Sequence, residues 1–425
     1  ASETMSNRFT AYINGTVGQL SPFLRTKDLA TYPRLPQQYG VITDFIREQR
    51  TYTAYSAPAT PAFGSGTTGS TIQFRIDSLD QPARMFVQLT VAAPTQTGGT
   101  YIRLANGAPL AMLRNLNIQY QTQSVLQPPM YPLLLQTYME DDYFKQYDRL
   151  NELYLSQTAA ERNTLAAAAQ TFRIPVPTYW LKDEALAFWM RGLSEFVQFI
   201  FDLGDLYQIL EYDGTTPVMA ITSGPTLIQE FFTLPTELKA AFQGITNQGP
   251  NGVMSLIDDW QEGTIQNATS TSPIAAGTTD TGYLAVQQLR GETPNFLFIV
   301  RPATYNNAGQ NSRYQLDMQY LPTTIELRYV NGTLLEQVNV RQLIRMHFRR
   351  FQTGREVAII PVNFADDCES IRQASGSIDN SYLSQLEVRF TWDGAGAPVN
   401  TAVVVWCQRK NQVQQVSTQL KKIQN

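Results

Sequence analysis

Ile72-Gln73-Phe74-Arg75-Ile76, then Pro82, then Met85-Phe86-Val87-Gln88-Leu89 are two short alternating stretches divided by a proline connection. Apolar side chains at every second position turn one face of a strand to a core and leave the other polar, so each stretch predicts a half-buried β-strand. Outward from there, Leu116-Asn117-Ile118-Gln119-Tyr120 alternates too, and Thr122 to Leu126 follows closely. The series is then written a second time. Tyr283 to Leu289 leads to Pro294 and Phe296-Leu297-Phe298-Ile299-Val300; Ile325-Glu326-Leu327-Arg328-Tyr329 precedes Asn331-Gly332-Thr333-Leu334-Leu335. Phe172-Arg173-Ile174-Pro175-Val176 corresponds to Val357 to Val362. Leu206 to Tyr212, before Asp213-Gly214, corresponds to Leu386 to Trp392, before Asp393-Gly394. Each pair is loosely similar, but the shared order predicts a duplicated domain rather than a solenoid.

Short strands joined by Pro-, Gly- and Asn-rich turns predict all-β sandwiches, and the eight-stranded jelly roll is a common form. The fold expected is therefore two tandem jelly rolls with helical insertions. Residues 1–50 read as an N-terminal arm, 51–240 as the first roll, 241–282 as a linker, 283–408 as the second roll and 409–425 as a basic tail. The first roll carries a helical excursion at about 131–170, rich in Ala, Leu, Glu and Arg. Further helical pieces are expected at Ala185 to Phe201, Thr236 to Phe242, Val253 to Trp260 and Val340 to Phe351.

The composition argues against most catalysis. The 425 residues are 43% hydrophobic, enough for an ordinary core, and 16% charged with a net charge of −4, so the whole surface is no sink for nucleic acid. Cys368, Cys407 and His347 are the only Cys and His residues, too few for a disulfide framework or a Cys/His zinc site. His347 lies among Arg341, Arg345, Arg349 and Arg350, a poor place for a neutral general base. The acidic pairs Asp141-Asp142, Asp258-Asp259 and Asp366-Asp367 are sequence neighbours, whereas glycosidase carboxylates face each other across about 5–10 Å. No enzymatic activity and no cofactor are expected, and no signal peptide or membrane-spanning stretch is visible.

Gly69-Ser70-Thr71-Ile72-Gln73-Phe74-Arg75-Ile76, Asp80, Met85-Phe86-Val87-Gln88-Leu89 and Pro94 resemble the first two strands of the double jelly-roll major capsid proteins. That lineage joins membrane-containing tailless phages, adenovirus-like viruses and large eukaryotic DNA viruses. Tyr101-Ile102-Arg103-Leu104 and Leu113-Arg114-Asn115-Leu116-Asn117-Ile118 are similar to the pair that follows, and Ile360 to Ala365 with Ser375-Gly376-Ser377-Ile378 to a late segment. Asp379-Asn380-Ser381-Tyr382 departs from the aromatic, Ser and Arg usual there in the large eukaryotic viruses. The resemblance covers roughly residues 70–408. It implies homotrimers, each a pseudo-hexagonal capsomer of six upright rolls, tiling an icosahedral virion shell after synthesis in the host cytoplasm. The implied partners are neighbouring capsomers, penton and minor capsid proteins, and an inner membrane or genome reached by the chain ends. The rival readings are a carbohydrate-binding tandem β-sandwich, since the fold alone does not fix function, and a viral spike or minor capsid protein.

Two basic segments are the candidate contact residues. Arg341, Arg345, Arg349 and Arg350 form either an anionic contact or the solvated face of a helix. Arg409, Lys410, Lys421 and Lys422 lie in a tail in which Val413, Val416, Leu420 and Ile423 recur at helical spacing. This tail reads either as an amphipathic assembly clamp outside the core or as a disordered extension. Gly64-Ser65-Gly66 and Thr67-Thr68-Gly69 lack the Lys-Ser/Thr ending of a phosphate loop and read as flexible connection.

Overall fold

The computed structural model describes residues 46–76, 80–105, 107–139, 159–176, 190, 193–233, 236, 253–266, 274–287, 292–293, 295–302, 320–329, 332–347, 359–364, 378–379, 386–416 and 419–423. The first half contains β1 (Ile46–Thr53), β2 (Thr71–Ile76), β3 (Gln81–Val91), β4 (Thr95–Thr97), β5 (Ile102–Leu104), α1 (Ala108–Met112), β6 (Leu113–Tyr120) and β7 (Gln123–Leu126). It continues with α2 (Met130–Met139), α3 (Ala159–Ala166), β8 (Gln170–Pro175), β9 (Val197–Leu203), α4 (Leu206–Ile209), β10 (Leu210–Tyr212), β11 (Thr215–Val218) and β12 (Ile221–Thr233). Its main strands form two antiparallel sheets, ordered β1-β12-β3-β8 and β2-β9-β6-β7.

The second half contains β13 (Val253–Gln266), β14 (Leu284–Gln287), β15 (Glu292–Thr293), β16 (Asn295–Pro302), β17 (Thr324–Tyr329) and β18 (Leu334–Asn339). There follow α5 (Val340–His347), β19 (Ile359–Asn363), β20 (Ile378–Asp379), β21 (Leu386–Thr391), β22 (Thr401–Val416) and β23 (Gln419–Ile423). Its strands run β18-β17-β21-β14-β13-β22-β16-β19. The path turns a corner where Thr264–Gln266, the end of β13, pair with β14. On either side of that corner lie β13-β22-β16-β19 and β14-β21-β17-β18. Counting main strands in each half, one sheet joins the first, eighth, third and sixth, and the other joins the second, seventh, fourth and fifth. That order is the jelly roll, present twice.

Period-two burial builds these sheets. On β9 the buried residues are Val197, Phe199, Phe201 and Leu203; on β21 they are Leu386, Val388 and Phe390. Phe74 meets Phe201 edge-on at 6.1 Å, and Phe298 meets Phe390 edge-on at 6.1 Å, so each core is closed by an aromatic pair. On β16, Asn295 through Val300 are all buried, which requires cover on both faces. Phe296 and Phe298 face the core of the second roll. Leu297 lies beside Trp406 of β22, and Trp406 packs against Tyr131 of α2 with ring centroids 5.2 Å apart. The first roll's helical excursion thus covers the second roll's sheet.

Several sequence expectations change. Leu206 to Tyr212 is α4 and β10, not the counterpart of Leu386 to Trp392; the seventh strand of the first roll is Val197–Leu203. Both rolls share the Asp-Gly turn, but α4 and β10 intervene before it in the first roll only. The helix expected over Ala185 to Phe201 ends in that strand, and residues 185–189 lie outside the described residues. Val253 to Trp260 is strand rather than helix, and it lies within the stretch read as linker. Strand β1 begins inside the stretch read as N-terminal arm and pairs along its whole length with β12. The C-terminal segment is neither helix nor loose tail. Strand β22 runs on to Val416, paired with β13, and β23 folds back on it. Helix α5 lies where expected, as far as His347.

Candidate assembly surfaces

At one end of the first roll, the β9–β12 connection ties three other connections together through its carboxylates. Asp205 caps α4 by accepting from the Tyr207 amide at 3.0 Å, and also accepts from the Gly66 amide at 2.9 Å. The Gly64 amide donates to the Gly204 carbonyl at 2.9 Å. The glycine-rich stretch read as flexible connection is therefore held in place.

Glu211 of β10 is buried between two arginines. Arg103 Nε of β5 donates to it at 2.7 Å and Arg162 Nη1 of α3 at 2.9 Å; Arg162 also donates to the Leu104 carbonyl at 2.8 Å. Side-chain exposures of 9% for Arg162 and 10% for Glu211 leave both charges little contact with water. This pairing fixes the helical excursion to the roll.

Asp213 accepts from the Thr100 amide at 2.8 Å, the Tyr101 amide at 2.9 Å, Gln96 Nε2 at 3.1 Å and the Thr100 hydroxyl. The Thr100 hydroxyl, then the Tyr101 amide, hold its carboxyl well below the usual carboxylate range. Gly99 takes φ +80°, and a Cβ there would collide with the Asp213 carboxylate, so glycine is required. Nearby, burial and then the charges of Tyr207 and Asp205 push the Tyr212 phenol up to about 12. Sequence reading passed over Asp205 and Glu211 and took Asp213 only as a turn residue. Their partners stand far away in the chain, and no local spacing announces them.

The outward face of β14-β21-β17 carries an interlocked cluster of three carboxylates and two guanidiniums. Arg389 pairs with Asp280, with Nε–Oδ1 at 2.9 Å, and reaches Glu326 at 3.7 Å; Arg328 pairs with Glu387 at 2.7 Å. The Arg328 guanidinium lies 3.2 Å over the Tyr283 ring, and the Tyr283 hydroxyl donates to Glu326. The Arg389 bond lowers the Asp280 pKa, and the Glu326 bond raises that of Tyr283.

The predicted basic residues fall into separate places. Arg341 is exposed at the start of α5, Arg345 is on the same helix, and Arg349 and Arg350 lie outside the described residues. Arg409 and Lys410 stand on β22 at the positions opposite Asp259 and Asp258 of β13. Lys421 and Lys422 stand on β23 opposite Gln414 and Val413. One of the three acidic pairs is thus placed in a sheet; Asp141-Asp142 and Asp366-Asp367 lie outside the described residues. Among the described residues, no cluster of His, Cys, Asp and Glu could hold a metal ion, and no helix is long and apolar enough to cross a membrane.

No protein-family model and no curated protein matches the chain by sequence. Solved structures match by shape. PBCV-1 VP54, fitted into a reconstruction of the virophage Sputnik, is 15% identical with a TM-score of 0.63, covering 90% of this chain and 97% of its own. The Faustovirus major capsid protein is 11% identical with a TM-score of 0.60, covering 88% and 91%. The mavirus major capsid protein is 10% identical with a TM-score of 0.53, covering 88% and 90%. Strand order and these likenesses together give the chain the double jelly-roll fold of those capsid proteins.

Proposed function

We propose that this chain is a major capsid protein, built into the shell of an icosahedral virion as homotrimeric, pseudo-hexagonal capsomers. The observation that carries the reading is the duplicated strand order, with one roll packed on the other through Tyr131 and Trp406. Two fixed, similar rolls let three chains present six similar flanks, which closed symmetry can use repeatedly. The Faustovirus and mavirus major capsid proteins, matched over nine-tenths of their length, support it. In this reading the first roll runs from β1 to β12 and the second from β13 to β22. No resident cofactor and no reaction are assigned.

The partners in this proposal are further copies of the chain, penton and minor capsid proteins, and a membrane or genome near the chain ends. Arg409, Lys410, Lys421 and Lys422, carried by the β22–β23 hairpin, are the residues proposed for an anionic partner, with Arg341 and Arg345 of α5 as a second basic group. Sedimentation of the purified protein tests the assembly: a trimer of about 143 kDa (three times 47.8 kDa) is expected, and a stable monomer in dilute buffer would refute it.

A further inference from the structure

The two rolls present corresponding sheet faces with different chemistry. On the first roll, outward residues are Gln73 and Arg75 of β2, Gln198, Ile200 and Asp202 of β9, and Asn115, Asn117 and Gln119 of β6, all half-buried or exposed. Gln119 stands opposite Gln198, and Asn117 opposite Ile200. On the second roll the equivalent rows are Arg328 opposite Glu387 and Glu326 opposite Arg389. Three amides and Ile200 on one roll thus occupy the positions that two charged pairs occupy on the other.

Side chains on both faces are held by their neighbours. Arg75 lies 3.3 Å over Tyr55 and 4.2 Å over Phe196; Arg328 lies over Tyr283. Thr71 and Asn115 bind Asp202, and Ser124 binds Asn117. Lysine, the usual flexible occupant of a solvated sheet, is missing from β2, β9, β6, β7, β14, β21, β17 and β18, while Arg and Tyr are present, as on interface surfaces. Ordered side chains lose little entropy on docking.

We propose that these are mutual docking faces between copies of this chain: the amide face of one copy's first roll meets the charged face of another copy's second roll. Charge complementarity sets this pairing. The charged cluster has three carboxylates (Asp280, Glu326, Glu387) against two guanidiniums (Arg328, Arg389), whereas the amide face has Arg75, with Arg114 half-buried in the β6 bulge beside Asn115, against Asp202. Four strands of about six residues give a face of roughly 400 Å², half of the ~800 Å² per partner of a stable complex. A single contact is therefore weak and reversible, and only repetition around an oligomer makes it strong.

The inference rests on the capsid reading and is tested with two charge variants beside the wild type. Q119E/Q198E puts acids where an acidic face would dock; Q119K/Q198K puts bases at the same half-buried positions. Each variant sets two like charges directly opposite one another, so both should melt slightly and about equally below wild type while keeping its oligomeric state. In sedimentation over a concentration series, the glutamate variant should need about tenfold more protein to form higher assemblies, and the lysine variant no more than wild type. Equal behaviour of the two variants, both associating or both failing, would overturn the docking faces. Wild type that forms no higher assembly would instead refute the capsid reading.

Discussion

Asp213 and Glu211 stand two residues apart and hold their surroundings by different physics. Asp213 is ringed by donors, so its carboxyl ionises far more readily than usual. A depressed carboxyl pKa contributes stability above the unfolded value, about 4, and loses it as pH falls through the folded value. Asp213→Asn should therefore lower the melting temperature by a constant amount from pH 7 to pH 5, and the gap should close in stronger acid. A gap that persists unchanged in strong acid would contradict this. Glu211 is buried between two arginines, and its removal leaves Arg162 with a buried charge. Glu211→Ala should cost about 3–5 kcal/mol in denaturant unfolding; a loss below about 1 kcal/mol would show that water replaces the carboxylate. Thr216, exposed and β-branched, sits at φ 51°, where Asn is better tolerated. Thr216→Asn should raise stability by about 1 kcal/mol, measured by the same unfolding curve.

At the scale of elements, the strands that alternate were legible, because half-buried sheet imposes period two on the sequence. Val197–Leu203 and Val253–Gln266 were missed: the first was absorbed into a longer apolar run with helical spacing, the second into a polar join. The C-terminal segment misled through Val413, Val416, Leu420 and Ile423. Their three- and four-residue steps suit a helix, yet the four residues divide between β22 and β23. The latching carboxylates could not be read at all, since Glu211 and Arg103 meet only once the sheets have formed. Two element-scale outcomes follow. Trp406→Ala removes a buried ring from the contact between α2 and the second roll, and should cost about 3–5 kcal/mol. With that contact weakened, calorimetry should resolve two unfolding transitions; one unshifted transition would contradict the coupling. Deleting residues 412–425 removes β23 and the end of β22, but leaves Thr401–Gln408 between β13 and β16. Such a protein should still fold, at a lower melting temperature than full-length chain; an unchanged melting temperature would mean that the hairpin adds nothing to the sheet.

At the scale of the molecule, duplication is the feature from which the rest follows. Each roll buries its own aromatic core, and the excursion from one roll covers the sheet of the other, so the pair presents two related flanks in a fixed relation. In the proposed trimer, three copies would present six such flanks around a closed ring. Electron cryo-microscopy of the purified protein tests this most directly. The account predicts a six-lobed ring with threefold symmetry, its lobes alternating between first and second rolls. A population of isolated two-lobed particles, one chain each, would contradict it.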